Sequence, residues 1–272
     1  MNRSLLCAAT AALIHFTAPM AGMAQQETEN PKLHVDPQWE ECAIRLDPAL
    51  TQDAWRQFAE EGALVVYIRP LTDARPMGAG AVEVSVHNWA TAIDDAEPAW
   101  NDTFVHPTED HYLTEGSTLG FPGLMVRAGV TDRMDVGAYV TKNPGSNYGF
   151  AGGLIQHDIV NDTAEGWAGA GRMSVVTLFG PEDVGLTVFG LDLVASKTFA
   201  VNDWMTISPY VTGSGYLSYA RESSSVVNLE SETVPGMQAM VGAAVEIYQA
   251  RLAAEISAAR VSTFAIKLGV EF

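Results

Sequence analysis

The stretch TFAIKLGVEF, residues 263–272, decides the fold. Side chains along a strand alternate with period two, which puts Phe264, Ile266, Leu268, Val270 and Phe272 on one face and Ala265, Lys267, Gly269 and Glu271 on the other. One face suits hydrocarbon or a core; the other suits water. The same rule reads FPGLMVRAGVTDRMDVGAYVTKN, residues 121–143, as a hairpin. Leu124, Val126, Ala128 and Val130 oppose Met125, Arg127 and Gly129; after a tight turn at Thr131, Asp132 and Arg133, the residues Val136, Ala138 and Val140 oppose Asp135, Gly137 and Tyr139. Upstream, Val82, Val84 and Val86 share a face opposite Glu83, Ser85 and His87. Alternating segments at 79–90, 121–131, 134–143, 147–160, 165–180, 184–198, 204–220, 235–248, 251–260 and 263–272 make about ten strands, separated by turn residues.

A chain that ends on an aromatic strand after several such hairpins resembles the bacterial outer-membrane β-barrel proteins, a porin- and transporter-like class within which the motifs single out no family. The resemblance implies an antiparallel transmembrane β-barrel in the outer membrane, in contact with its lipid. It also implies that the strand ending at Phe272 is read by the barrel-insertion machinery. An even strand count returns both ends of the sheet to the periplasm, and such barrels have short inner turns and long outer loops. Counted back from Phe272, the brief turns near Gln249, Asn202, Asn161 and Asp132 fall inside, and the excursions 91–120 and 221–236 fall outside. Trp167 and Phe272 are expected at the inner membrane–water boundary, with Phe179 and Tyr219 at the outer one. Twelve strands result if residues 63–71 and part of 91–120 join the sheet. A soluble sandwich or lipocalin-like barrel shares the alternation, but not the agreement of terminal aromatic, loop asymmetry and N-terminal leader.

That leader is the only apolar helix candidate. Arg3 precedes an apolar run at 5–16, and Ala21, Gly22 and Ala24 offer a cleavage site before Gln25, the layout of a secretory signal peptide over residues 1–24. The run falls short of the ~20 residues a membrane helix needs. An apolar fraction of 47% supports a folded core without any long continuous span. A net charge of −18 argues against nucleic acid, which calls for clustered Lys and Arg. Cys7 lies in the leader and Cys42 remains alone, so no intramolecular disulfide framework is available. Between leader and barrel, residues 25–78 are expected to form a periplasmic or plugging segment. Thr51 is placed to cap a short helix that carries Trp55, Phe58 and Ala59 on one side and ends at Gly62; residues 63–71 (ALVVYIRPL) read as strand-like.

The inward faces carry Glu83, His87, Arg127, Asp135, Arg172, Asp192, Arg251, Glu255 and Lys267 as lumen-lining candidates. Such a set can line a selective pore; the stronger reading for a narrow lumen is pairing of opposite charges among filling side chains. His106, Glu109, Asp110 and His111 are the weak candidates for a metal in an outer loop, at a spacing that matches no established ligand set. An outer-rim hydrolase would draw on Asp94, Asp95, His157, Asp158 or Ser223 to Ser225, yet none of them forms a nucleophile motif. The expectation is passage or uptake of small solutes by a non-enzymatic barrel without a cofactor. A structural or surface-interaction barrel is the alternative.

Overall fold

The computed structural model describes residues 43–105, 114–115, 118–142 and 146–272. Among them ten long strands run β1 Val82–Ala92, β2 Thr118–Thr131, β3 Met134–Lys142, β4 Gly149–Asp162, β5 Trp167–Phe179, β6 Val184–Lys197, β7 Met205–Glu222, β8 Glu232–Ile247, β9 Ala250–Ala258 and β10 Thr263–Glu271. Each pairs antiparallel with its sequence neighbour. The seam joins β10 to β1, with Val270 opposite Val84 and Lys267 opposite His87, so the sheet closes on itself. Phe272 continues the seam, exchanging two backbone hydrogen bonds with Val82 at 2.8 and 3.1 Å. Closure leaves no unpaired edge, which is what hydrocarbon demands of a spanning sheet. The short segments Phe199–Asn202 and Thr114–Glu115 add pairing at the rims without adding staves; the first continues the line of β6 alongside β7.

The alternation read from sequence is the burial pattern of the wall. Val86, Ile155, Leu193, Val211, Ile256 and Ile266 are exposed outward, each in a row of apolar neighbours, a surface a water-soluble protein does not present. Trp167, Phe179, Tyr219 and Phe272 are exposed at strand ends on this outward side.

Several boundaries differ from the sequence reading. β7 reaches Glu222 and β8 starts at Glu232, so the loop between them shrinks to residues 223–231. β2 starts at Thr118, and the excursion before it contains the one-turn helix α2, Pro98–Asn101, and Phe104–Val105, which pairs with Ala43–Ile44 apart from the barrel sheet. The twelve-stave alternative is therefore not what forms. Helix α1, Gln52–Val66, does start at Thr51, whose hydroxyl accepts from the Ala54 amide, but it runs through Gly62 to Val66. Residues 63–71 are thus half helix and half extended chain. Their continuous apolar character reflects burial on every side, and periodicity alone cannot separate a buried helix from a buried strand.

Candidate functional site

The lumen is filled by the protein's own N-terminal segment. α1 sits in the mouth at the end bearing the loops between β7 and β8 and between β9 and β10. There Gln52 Nε2 donates to Glu232 Oε1 (2.5 Å) and Glu230 O (3.1 Å), while Arg56 pairs with Glu232 at 3.1 Å. Glu61 is buried and accepts from Trp100 Nε1 at 2.6 Å and from Arg260 Nε at 2.8 Å. The bond to Glu61 raises the Arg260 guanidinium above its ordinary pKa. Beneath these polar contacts Trp55, Phe58, Leu64, Val65, Val66 and Ile68 are each at most 2% exposed. Phe58 packs on Trp100 and Phe104, and the space bounded by Ile44, Phe58, Gly62, Trp100, Phe150 and Leu186 is only about 10 Å³.

Below α1 the chain runs extended along the lumen. Trp89 Nε1 donates to Val65 O at 2.9 Å, and Tyr67 Oη donates to Asp192 at 2.5 Å. Arg69 is buried, donating to Leu64 O (2.9 Å), Tyr67 O (3.0 Å) and Thr263 Oγ1 (3.2 Å) with Glu255 at 4.0 Å. After Leu71, whose φ of 50° bends the backbone, the Ala74 amide donates to Ser196 Oγ at 3.1 Å. Arg75 bridges Asp73 and Glu246, both at 2.6 Å, and the Met77 amide donates to Asp135 at 3.1 Å.

Of the nine lumen candidates, eight are in ion pairs. Lys267 meets Glu83 at 2.9 Å, Arg127 meets Asp135 at 3.0 Å and Glu83 at 4.0 Å, and Arg172 meets Asp192 at 3.4 Å. Arg251 joins Glu271 at 2.8 Å and Glu246 at 2.9 Å, and Glu255 faces Arg69. His87 lies 2.9 Å from Ser85 Oγ. The wall thus folds with its charges opposed, which removes the penalty of a stranded buried charge.

Sequence reasoning missed the residues that the segment contributes, Tyr67, Arg69 and Arg75, and the recesses that receive it. An ideal Cβ on Gly190 would stand 2.4 Å from Tyr67 Oη, and one on Gly152 2.6 Å from Ile68 Cδ1. A glycine on the inward face of a strand is a legible signal of close backbone approach, and both positions carried it.

The hydrolase candidates are not brought together. Asp94 and Ser223 to Ser225 lie at the end of the barrel that holds α1, beyond the ends of β1 and β7, whereas Asp158 is buried near the opposite rim beside Arg133. His106, Glu109, Asp110, His111 and Cys42 lie outside the described residues, as does the leader. A concavity of about 700 Å³ sits on the outer wall where Ala243 and Ala254 leave room between Leu252, Ile266 and Leu268. Its lining is mostly the apolar side chains of the outward face.

The sequence matches no family model and no curated protein. Solved structures do match in fold. An outer membrane channel from Pseudomonas putida F1 is 10% identical, with 75% of this chain and 100% of that chain covered and a TM-score of 0.42. The β domain of the Bordetella autotransporter Brka is 10% identical over 71% of this chain and 100% of its own, with a TM-score of 0.41. Ail, the attachment invasion locus protein of Yersinia pestis, is 11% identical over 71% and 99%, at 0.30. The chain is a closed antiparallel β-barrel of ten strands. At these identities the likeness extends to the barrel fold alone.

Proposed function

We propose that this outer-membrane barrel is closed across its lumen and works at its outer face, as a structural or surface-interaction barrel without enzymatic activity. The observation that carries the reading is the apolar seal at the outer mouth. Full burial of a large apolar side chain is worth about 1.5–3 kcal/mol, so the six seal residues hold the stretch 55–68 in place with about 9–18 kcal/mol, an upper bound. A segment held so firmly is part of the fold. The separation of Asp94 and Ser223 from Asp158 speaks against acid–base chemistry at one site.

Passage of small solutes is the second reading, and one feature favours it. On the β7–β9 side of the lumen the hydroxyls of Thr212, Ser218 and Ser257 are buried without a hydrogen-bond partner among the described residues. Buried hydroxyls of this kind recruit water, which offers a polar path beside the segment.

Ion conductance of the folded protein in a planar bilayer separates the two. The closed barrel gives no current steps, and a variant lacking residues 43–77 gives them if the wall still closes. Discrete steps from the intact chain overturn the closed reading in favour of passage. Recognition of the Phe272 strand by the insertion machinery belongs to the same proposal; its check is the level of assembled barrel after deletion of Phe272, which is expected to fall.

A further inference from the structure

We propose that the chain upstream of Ala43 stands on the outer side of the membrane, so that the mature N-terminus is displayed at the cell surface. The inner rim is fixed by the start of β1, the end of β10 and the short turns at 132–133, 163–166, 203–204 and 248–249, since barrels of this class put short turns inside. Followed backwards from Val82, the contacts of the chain climb steadily away from that rim. Gly80 donates to Gly129 O, and Met77 donates to Asp135 beside the first turn. Arg75 meets Glu246 near the inner end of β8, Tyr67 meets Asp192 midway along β6, and Val65 accepts from Trp89 toward the outer end of β1. Gln52 then meets Glu230 and Glu232 in the outer loop. Beyond α1 the Ile44 amide donates to the Asn147 side chain and the Arg45 amide to Thr103 O, both in outer connections.

The segment therefore makes a single pass of the membrane inside the barrel, entering at the outer mouth. For residues before Ala43 to lie in the periplasm the chain would need a second crossing. The lumen is already occupied by α1 and residues 67–77. A crossing through lipid would leave backbone amides and carbonyls unpaired in hydrocarbon, at several kcal/mol for each group. The displayed piece takes in residues 25–42, acidic through Glu27, Glu29, Asp36, Glu40 and Glu41 against Lys32.

The test uses single cysteines in a Cys7→Ser, Cys42→Ser background: Asn30→Cys in the displayed piece, Glu182→Cys in the outer turn between β5 and β6, and Asp203→Cys in an inner turn. Intact cells are treated with a membrane-impermeant maleimide, before and after the outer membrane is permeabilised. Asn30→Cys is expected to label on intact cells to the same extent as Glu182→Cys, with Asp203→Cys labelled only after permeabilisation. Labelling of Asn30→Cys that tracks Asp203→Cys, or that is absent in both conditions, overturns the proposal. So does a reversed pattern at the two control positions. Conducting and non-conducting barrels give the same labelling, so the result is independent of the closed-lumen reading.

Discussion

Tyr67 reaches Asp192 only because residue 190 has no side chain. A β carbon there would overlap the Tyr67 ring and hydroxyl, so Gly190→Val forces the segment off the wall. Overpacking of a filled core costs about 1–3 kcal/mol, read as a lower urea midpoint of the folded barrel in detergent. Gly213 is the matched control. It faces outward with open space where a β carbon would stand, and Gly213→Val is expected to stay within about 0.5 kcal/mol. Asp192 itself binds both Tyr67 and Arg172, each buried. Asp192→Ala strands the Arg172 charge, and a loss of about 3–5 kcal/mol in the same measurement is expected. At this scale the wall was legible from sequence, because period-two alternation assigns every wall residue a side. Arg69 was not, because an extended segment outside the sheet has no period to read, and nothing local says that its guanidinium will face Glu255.

Two elements show why some boundaries resisted reading. Gly62 marks the end of many helices, yet here it lies within α1, where its bare backbone allows Leu186 to approach to 3.3 Å of an ideal Cβ. The apolar run after it then continues the helix to Val66. α1 is held to the outer loops by unequal contacts. Arg260 is about half exposed where it pairs with Glu60, whereas Glu61 is buried and serves as the acceptor for Trp100. Arg260→Ala also removes a bond to Glu61, but leaves that carboxylate with Gln57 and Trp100 as donors, so it should cost about 1 kcal/mol. Glu61→Ala removes the acceptor of a buried indole N–H and should cost about 1–3 kcal/mol. Thermal unfolding of the two variants side by side checks the order. Among the staves, charge on the lipid face should follow depth. Ile266→Arg, half way along β10, is expected to cost about 2–4 kcal/mol and Phe179→Arg, at the outer end of β5, about 0–1 kcal/mol. Equal costs in refolding into bilayers would contradict the membrane placement of the wall.

For the whole molecule, strand number and closure followed from local pattern, since a barrel is the one way for alternating strands to satisfy every backbone group in lipid. What fills the barrel did not follow, because inward charges that favour pairing among filling side chains do not say which segment of the chain packs between them. The thread through the ring also has a mechanical consequence. α1, with a diameter of about 10–12 Å including side chains, is a stopper at the outer mouth. A pull from the periplasm draws this stopper deeper into the opening, whereas a pull from outside is transmitted along residues 67–81 to the first hydrogen bonds of β1, at Val82 and Phe272. Tension applied at that mouth must first draw α1 and then residues 67–77 out of the lumen. Only then does it reach the closing seam, and it would peel β1 from β10 starting at Val82.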